Sequence, residues 1–263
     1  MAFYASEFTF DGESSAMYGL VICTFNRRGQ DNVSFGNKAE IIETRTNRRI
    51  QPIHFGVNYN AAPLQFKVVF GAEKKMDRYD LEAVSFWLTG HQQYKWLTID
   101  QPDMDNYAFR CLISELTPIA YGGYPLAFEA TVLCDCPYAY SFPFHQEYIV
   151  NGSRTVLFRN QSTVRELIKP ELIFAPATGG GSLSIVNHDD GDREFYLSAL
   201  PTQTAIVHAD NLNGILYGEN SSYNYYDGFN MRFFRLVHGD NHLTITGNGT
   251  LTITGRFLQN VAG

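Results

Sequence analysis

The sequence is short of the residues that would mark a chemical site. Four cysteines in 263 residues, at 23, 111, 134 and 136, leave no C-x-x-C pair for a zinc knuckle or a redox couple. Cys134 and Cys136 stand two apart on a predicted strand, which puts both on one face as buried thiols. Residues 1–10 hold no basic stretch followed by an apolar one, so no signal peptide is read there. The expectation is folding in a cytoplasm, where thiols stay reduced. No apolar run approaches the length of a membrane span. Basic residues are also few, 20 against 27 acidic, for a net charge of −7. Up to Ser141 there are 12 basic and 16 acidic residues, and beyond it 8 and 11, so neither half is basic. A free nucleic-acid binder is excluded on that ground. The densest positive run, Arg45 to Arg49, lies among Thr and Asn and reads as a solvated loop or a protein-contact edge.

What is abundant is β-forming. Sixteen Tyr, 20 Phe and many Thr, with 22 Gly for turns, favour pleated sheets. Phe8-Thr9-Phe10 reads as a short strand closed by Asp11-Gly12 and followed by Tyr18-Gly19-Leu20-Val21-Ile22. Residues 26–62 are polar, with apolar points at Ile41-Ile42 and Ile53 to Phe55, and read as strands on long loops or an extended arm. Leu64 to Phe70 alternates as a strand, and so does Leu126 to Cys134, with Leu126, Phe128, Ala130, Val132 and Cys134 on one face.

One helix is expected, over Asp77–Leu88. Asp77 can accept the free amides of its first turn, Asp80 adds charge at that positive end, and Met76 with Leu81 forms a hydrophobic staple. Leu81, Val84 and Leu88 make an apolar stripe that Phe86 and Trp87 widen, and Gly90 is expected as a left-handed C-cap. After Cys136-Pro137, residues 138–143 read as a linker, which divides the chain into domains 1–141 and 142–263. The second half shows regularly spaced short strands: Leu172–Phe174, Leu183–Val186, Thr204–Val207, Gly214–Tyr217 and Phe233–Val237. Leu243–Thr246 and Leu251–Thr254 read as a hairpin turning at Gly247-Asn248-Gly249. That pattern predicts an antiparallel sandwich.

Candidate chemistry is weak. Asp100, Asp103 and Asp105 crowd a proline-containing loop, whereas a glycosidase needs two carboxylates opposed across a sugar. His188-Asp189-Asp190-Gly191-Asp192 lacks the spacing and closing Glu of a calcium loop and reads as a hairpin tip. Gly179-Gly180-Gly181 lacks the Lys-Ser/Thr of a phosphate loop. No H-E-x-x-H or G-x-S-x-G is present. The expectation is a non-enzymatic chain with no catalytic residue, metal or cofactor. One segment stays open as a contact site for glycan or protein: Tyr217, Tyr223, Tyr225 and Tyr226, set among Asn and Asp.

Three motifs in order resemble the distal tail (Dit) proteins of long-tailed, non-contractile bacteriophages. They are Phe8-Thr9-Phe10-Asp11-Gly12 with Tyr18-Gly19-Leu20; Phe86-Trp87-Leu88-Thr89-Gly90 with Tyr94-Lys95-Trp96-Leu97; and Cys136-Pro137-Tyr138-Ala139-Tyr140. Phe234 to Asn241 and Leu243-Thr244-Ile245 extend the similarity into the second half. The resemblance implies a mainly β chain: an N-terminal β-rich ring-forming domain with one helix, and a C-terminal galectin-like antiparallel β-sandwich. It implies a homo-hexameric ring in the virion's tail tip, assembled in the bacterial host cytoplasm. Its implied partners are the tail tube protein, the tape-measure protein and tail-tip or receptor-binding proteins. DNA would pass through the channel only in transit. The alternative is a carbohydrate-binding, lectin-like module that recognises host surface glycans through the C-terminal sandwich.

Overall fold

The computed structural model describes residues 7–23, 40–47, 49–58, 62–121, 124–201, 204–220 and 222–261. The chain divides into two compact units. One runs up to Tyr140 and includes the C-terminal end from Asn260, and the other is Ser141–Gln259. The chain's end therefore groups with the first unit, where Val261 is buried in the core.

The first unit is an antiparallel sheet with one helix. Its strands are β1 (Glu7–Phe10), β2 (Glu13–Ser14), β3 (Leu20–Cys23), β4 (Glu40–Thr44), β5 (Ile53–Asn58), β6 (Gln65–Ala72), β7 (Lys95–Asp100), β8 (Ala108–Tyr121), β9 (Tyr124–Cys134) and β10 (Ala139–Tyr140), with helix α1 at Arg78–Thr89. The main sheet runs β2-β1-β7-β8-β9-β6-β3, and β4 with β5 forms a separate two-stranded sheet. The alternation read in the sequence sets the burial: Phe128, Ala130, Val132 and Cys134 enter the core, facing Phe66, Val68 and Phe70 of β6. Residues 26–39 and 59–61 of the expected arm lie outside the described residues.

The helix starts as its sequence specifies. Asp77 and Asp80 form a reciprocal capping box, with Asp80 N–H donating to Asp77 Oδ1 at 2.9 Å and Asp77 N–H donating to Asp80 Oδ2 at 3.1 Å. Asp77→Ala should lower the first unit's stability by about 1 kcal/mol. A denaturant midpoint unchanged from wild type would show that the box contributes nothing. Two expectations about this helix need correction. Gly90 is not left-handed, at φ −75°; a side chain there would run into the Phe86 carbonyl to which its N–H bonds at 2.9 Å. Phe86 does not join the apolar stripe. Val84, Trp87 and Leu88 are buried, and Phe86 is 79% exposed.

The first two of the motifs that carried the resemblance meet at one residue. Trp87 stacks on Tyr18 at 4.2 Å and on Phe8 at 5.7 Å, and donates its indole N–H to the Phe10 carbonyl at 3.1 Å. Phe8 in turn stacks on Phe70 at 4.4 Å. At the other end of this unit, the expected linker is fixed structure up to Tyr140. Tyr138 and Ala139 are buried, and the Tyr140 hydroxyl donates to Asp135 at 3.0 Å. β9 ends at Cys134, so Cys136 does not continue its face; its thiol donates to the Tyr138 carbonyl.

The second unit is antiparallel β throughout: β11 (Phe144–Asn160), β12 (Glu171–Pro176), β13 (Leu183–Asn187), β14 (Arg193–Leu197), β15 (Val207–Asp210), β16 (Ile215–Gly218) and β17 (Gly239–Gly255). The strand order is β14-β13-β17-β12-β15-β16, with β11 pairing β17. Here the expected hairpin at 247–249 is overturned. β17 is a single strand of 17 residues, paired along its length with β11 from Phe144↔Gly255 to Asn160↔Gly239. On its other side residues 243–246 pair with β13 and residues 249–254 with β12. The strand thus passes from one group of strands to the other at Gly247-Asn248-Gly249, as strands do at the corners of folded sheets. The glycines leave room for Phe174, whose ring would lie 3.6 Å from a Cβ on Gly247 and 3.0 Å from one on Gly249. Two further expectations shift: the strand read at 204–207 is Val207–Asp210, and 233–237 contributes only an isolated bridge, Ile168↔Leu236.

Candidate interaction surfaces

The polar clusters singled out in the sequence do not assemble a chemical site among the described residues. In the 100–105 loop Gln101 and Met104 are buried and the three aspartates point outward, with Gln101 donating to Asp103 at 2.5 Å. The carboxylates are exposed along a turn and do not face one another across a cleft. At the β13–β14 tip each acid has a partner already. Asp190 takes a bidentate pair from Arg235, at 2.6 and 2.9 Å, Asp192 meets His188 at 2.6 Å, and Asp189 meets the ring and the N–H of His242. The His242 contacts hold the Asp189 carboxyl below its ordinary range. Among the described residues no group of three or more His, Cys, Asp or Glu is placed to hold a metal ion. Burial pushes the Cys111 thiol up to about 12 and the Cys134 thiol higher still, which keeps both uncharged and unreactive.

The four tyrosines of the aromatic segment do not form one platform. Tyr225 is core: its ring lies against Gly218 so closely that any side chain at 218 would collide with the hydroxyl. Tyr223 is half-buried and meets Tyr225 edge to face at 5.0 Å. Tyr226 is partly exposed but tethered; its hydroxyl accepts from the Leu216 N–H at 2.8 Å. Tyr217, on β16, is 48% exposed and stacks flat on His208 of β15, at 4.9 Å and 7° between planes. Glu171 and Asp210 lie close enough to raise its hydroxyl's pKa, after the larger effect of partial burial. Neighbouring Tyr in the sequence concealed this split, because Tyr225 and Tyr226 face opposite ways.

A group of exposed apolar residues lies in the first unit, on the segment that reads in sequence as a polar arm with apolar points at Ile41-Ile42 and Ile53 to Phe55. The β4–β5 hairpin pairs Ile41 with Val57 and Thr44 with Ile53, with a register shift between Ile42 and Glu43. Ile41, Ile42, Ile50, Ile53 and Phe55 are all exposed, and none of them belongs to the core of the unit. An isolated two-stranded sheet is marginal in water. Adjacent apolar residues such as Ile41-Ile42 put hydrophobic surface on both faces, and that was the available signal. A second patch lies on the outward side of α1. Tyr79 and Phe86, seven residues apart on one helix face, are about 80% exposed. Beside them is a shallow cavity of about 490 Å³ lined by Arg78, Leu81, Glu82, Ser85, Phe86, Thr89 and Gly90.

Comparison with known proteins agrees with a tail component. Residues 3–136 match the family model described as a phage tail protein N-terminal domain, and residues 138–255 match one described as a phage tail C-terminal domain. No functionally curated protein matches the sequence. Among solved structures, SPP1 Dit, described as a paradigm of the hub adsorption apparatus in phages infecting Gram-positive bacteria, is similar in fold. The TM-score is 0.66 at 13% identity, over 96% of this chain and 99% of that one. A chain of the phage P2 baseplate in its activated conformation with calcium gives a TM-score of 0.58 at 9% identity, over 94% and 97%. The strontium form of that baseplate gives 0.57 at 10% identity, over 95% and 97%. The fold is thus the mainly β, one-helix, antiparallel architecture that the sequence resemblance implied.

Proposed function

We propose that this chain, which belongs to the phage tail protein family whose N- and C-terminal domains it carries in order, is the distal tail protein of its virion. In this reading six copies close into a ring that joins the tail tube to the tail-tip complex and leaves a channel for DNA. Residues up to about 141 form the ring, and the remainder is the galectin-like domain. The role is structural and non-enzymatic. The observation that carries it is the end-to-end likeness in fold to SPP1 Dit, which spans both units without an unmatched domain on either side.

Two features of the chain support the reading. A closed ring needs a heterologous interface, one patch meeting a different patch on the neighbour, and the first unit exposes two separate apolar surfaces. The net charge of −7 suits a passage that must not hold phosphates, since a Lys/Arg-lined wall would bind DNA tightly and in a salt-dependent way. No described helix is long and apolar enough to cross a membrane. The partners in this reading are the tail tube, the tape-measure protein and the tail-tip or receptor-binding proteins, with assembly in the host cytoplasm. The lectin alternative draws chiefly on Tyr217, since Tyr225 is committed to the core, half-buried Tyr223 packs against Tyr225 and the Tyr226 hydroxyl bonds the backbone.

Solution mass across a concentration series tests the ring. From a chain of 29.7 kDa, six copies give a species of roughly 178 kDa. A protein that stays monomeric at every concentration, with and without the tail tube protein, would overturn the reading.

A further inference from the structure

We propose that Cys111 and Cys134 are the site of a cross-strand disulfide, which staples β8 to β9 once the protein meets a disulfide oxidant. Their spacing in the sequence shows no pair, and the fold makes one. Cys111 lies directly opposite Cys134 in the β8–β9 ladder. The hydrogen bonds around them show which kind of pair this is. Asp135 N–H donates to the Arg110 carbonyl at 2.9 Å, and Cys134 N–H turns away to the Leu64 carbonyl at 2.8 Å. Bonds between the flanking residues, and none between the two themselves, define a non-hydrogen-bonded pair. There the Cα atoms stand about 4.5 Å apart and the side chains come closest. That separation falls within the range of about 4.4–6.8 Å that a disulfide spans. Both side chains are buried in the same core, so both leave the sheet on one face.

The other two cysteines are held elsewhere. Cys136 lies beyond the end of β9, and its thiol donates to the Tyr138 carbonyl. Cys23 is on β3, with β6 between it and β9. With oxidised glutathione the chemistry balances in two exchanges. One cysteine thiolate attacks the glutathione disulfide and releases the first glutathione thiolate. The other attacks the mixed disulfide, forms the Cys111–Cys134 bond and releases the second. Two electrons pass from the cysteine sulfurs to the glutathione sulfurs, which take up the two thiol protons. Both thiols are buried and protonated in the folded chain, so exchange waits on the opening of β8 from β9. On the distal-tail reading this sets an order of events. The pair stays reduced during assembly in a reducing cytoplasm and closes in the oxidising medium that a released virion meets. Only that timing rests on the reading; the bond's geometry does not.

The test refolds the full chain from denaturant in a buffer of oxidised and reduced glutathione, which gives the oxidant access to both thiols. Remaining thiols are then blocked with iodoacetamide, and the intact mass and a peptide map are read. The expected product carries one Cys111–Cys134 link, with Cys23 and Cys136 blocked. Its first unit should melt roughly 10 °C above that of the reduced chain. Cys111→Ala and Cys134→Ala should each abolish the link and leave the melting point unresponsive to oxidant. Where either variant fails to fold, the wild-type peptide map decides alone. Four blocked thiols, a dominant link through Cys23 or Cys136, or an oxidised chain that melts no higher than the reduced one would overturn the proposal. A chain that links as expected and never self-associates would remove the ring reading and leave the disulfide. One that assembles with four blocked thiols would do the reverse.

Discussion

Replacing Trp87 with Ala should cost the first unit about 3–5 kcal/mol, the range for truncating a fully packed aromatic residue. Two separate sequence stretches, β1 and the turn before β3, depend on this side chain. Phe8 and Tyr18 lie against its ring, and the Phe10 carbonyl accepts its indole N–H. Truncation leaves a cavity between β1, the turn before β3 and α1, and it strips a buried carbonyl of its partner. The intermediate substitution separates these terms. Trp87→Phe keeps a stacked ring but loses the hydrogen bond, and should cost about 1–2 kcal/mol more than a volume-matched swap elsewhere in the core. The measurement is chemical denaturation followed by tryptophan and tyrosine fluorescence. A loss below about 1 kcal/mol for Trp87→Ala would mean that the aromatic cluster is not the element holding the N-terminal strands to the helix.

This cluster also explains why the family was legible when no site was. Trp87, Phe8, Phe10 and Tyr18 pack together with Phe70 in one core, and the first four are aromatic residues of the first two motifs. An exposed apolar residue is harder to read: Phe86 sits next to Trp87 and looks like part of the same stripe. Helical geometry was the discriminating information: Val84, Trp87 and Leu88 at i, i+3 and i+4 define one face, and Phe86 falls on the far side of it. The tyrosine segment is hard to read for the opposite reason. Four tyrosines in ten positions suggest one surface, but a polar hydroxyl does not keep a ring out of a core, and Tyr225 is buried. β11 went unread because its centre, Asn151-Gly152-Ser153-Arg154-Thr155, is polar and largely exposed, and no apolar alternation announces a strand there.

The stretch 247–249 is where local chemistry and the fold disagree most, and it supports a second large effect. Gly249→Ala should destabilise the second unit by about 3–5 kcal/mol, combining a strained backbone with overpacking. Gly249 sits at φ +153°, and an added Cβ would collide with the Ala175 carbonyl, lie 2.8 Å from Pro176 Cα and meet the Phe174 ring at 3.0 Å. Two of those three neighbours are backbone, so shrinking Phe174 cannot rescue the variant. Gly247→Ala should change stability by about 1 kcal/mol or less, because the entropy that Ala saves in a strand offsets the close approach to the Ser182 carbonyl at 3.2 Å and its φ is not positive. A Gly-Asn-Gly hairpin turn predicts a different pattern, with both glycines supplying positive φ and suffering alike. The phase of the buried residues argues against that turn independently: Leu243, Ile245, Leu251 and Ile253 are all odd-numbered and fully buried, one uninterrupted period of two running through the glycines. Equal losses at 247 and 249 in thermal or denaturant unfolding would restore the turn; a gap of about 2 kcal/mol or more between them would place the continuous strand, and the crossing from β13 to β12, in solution.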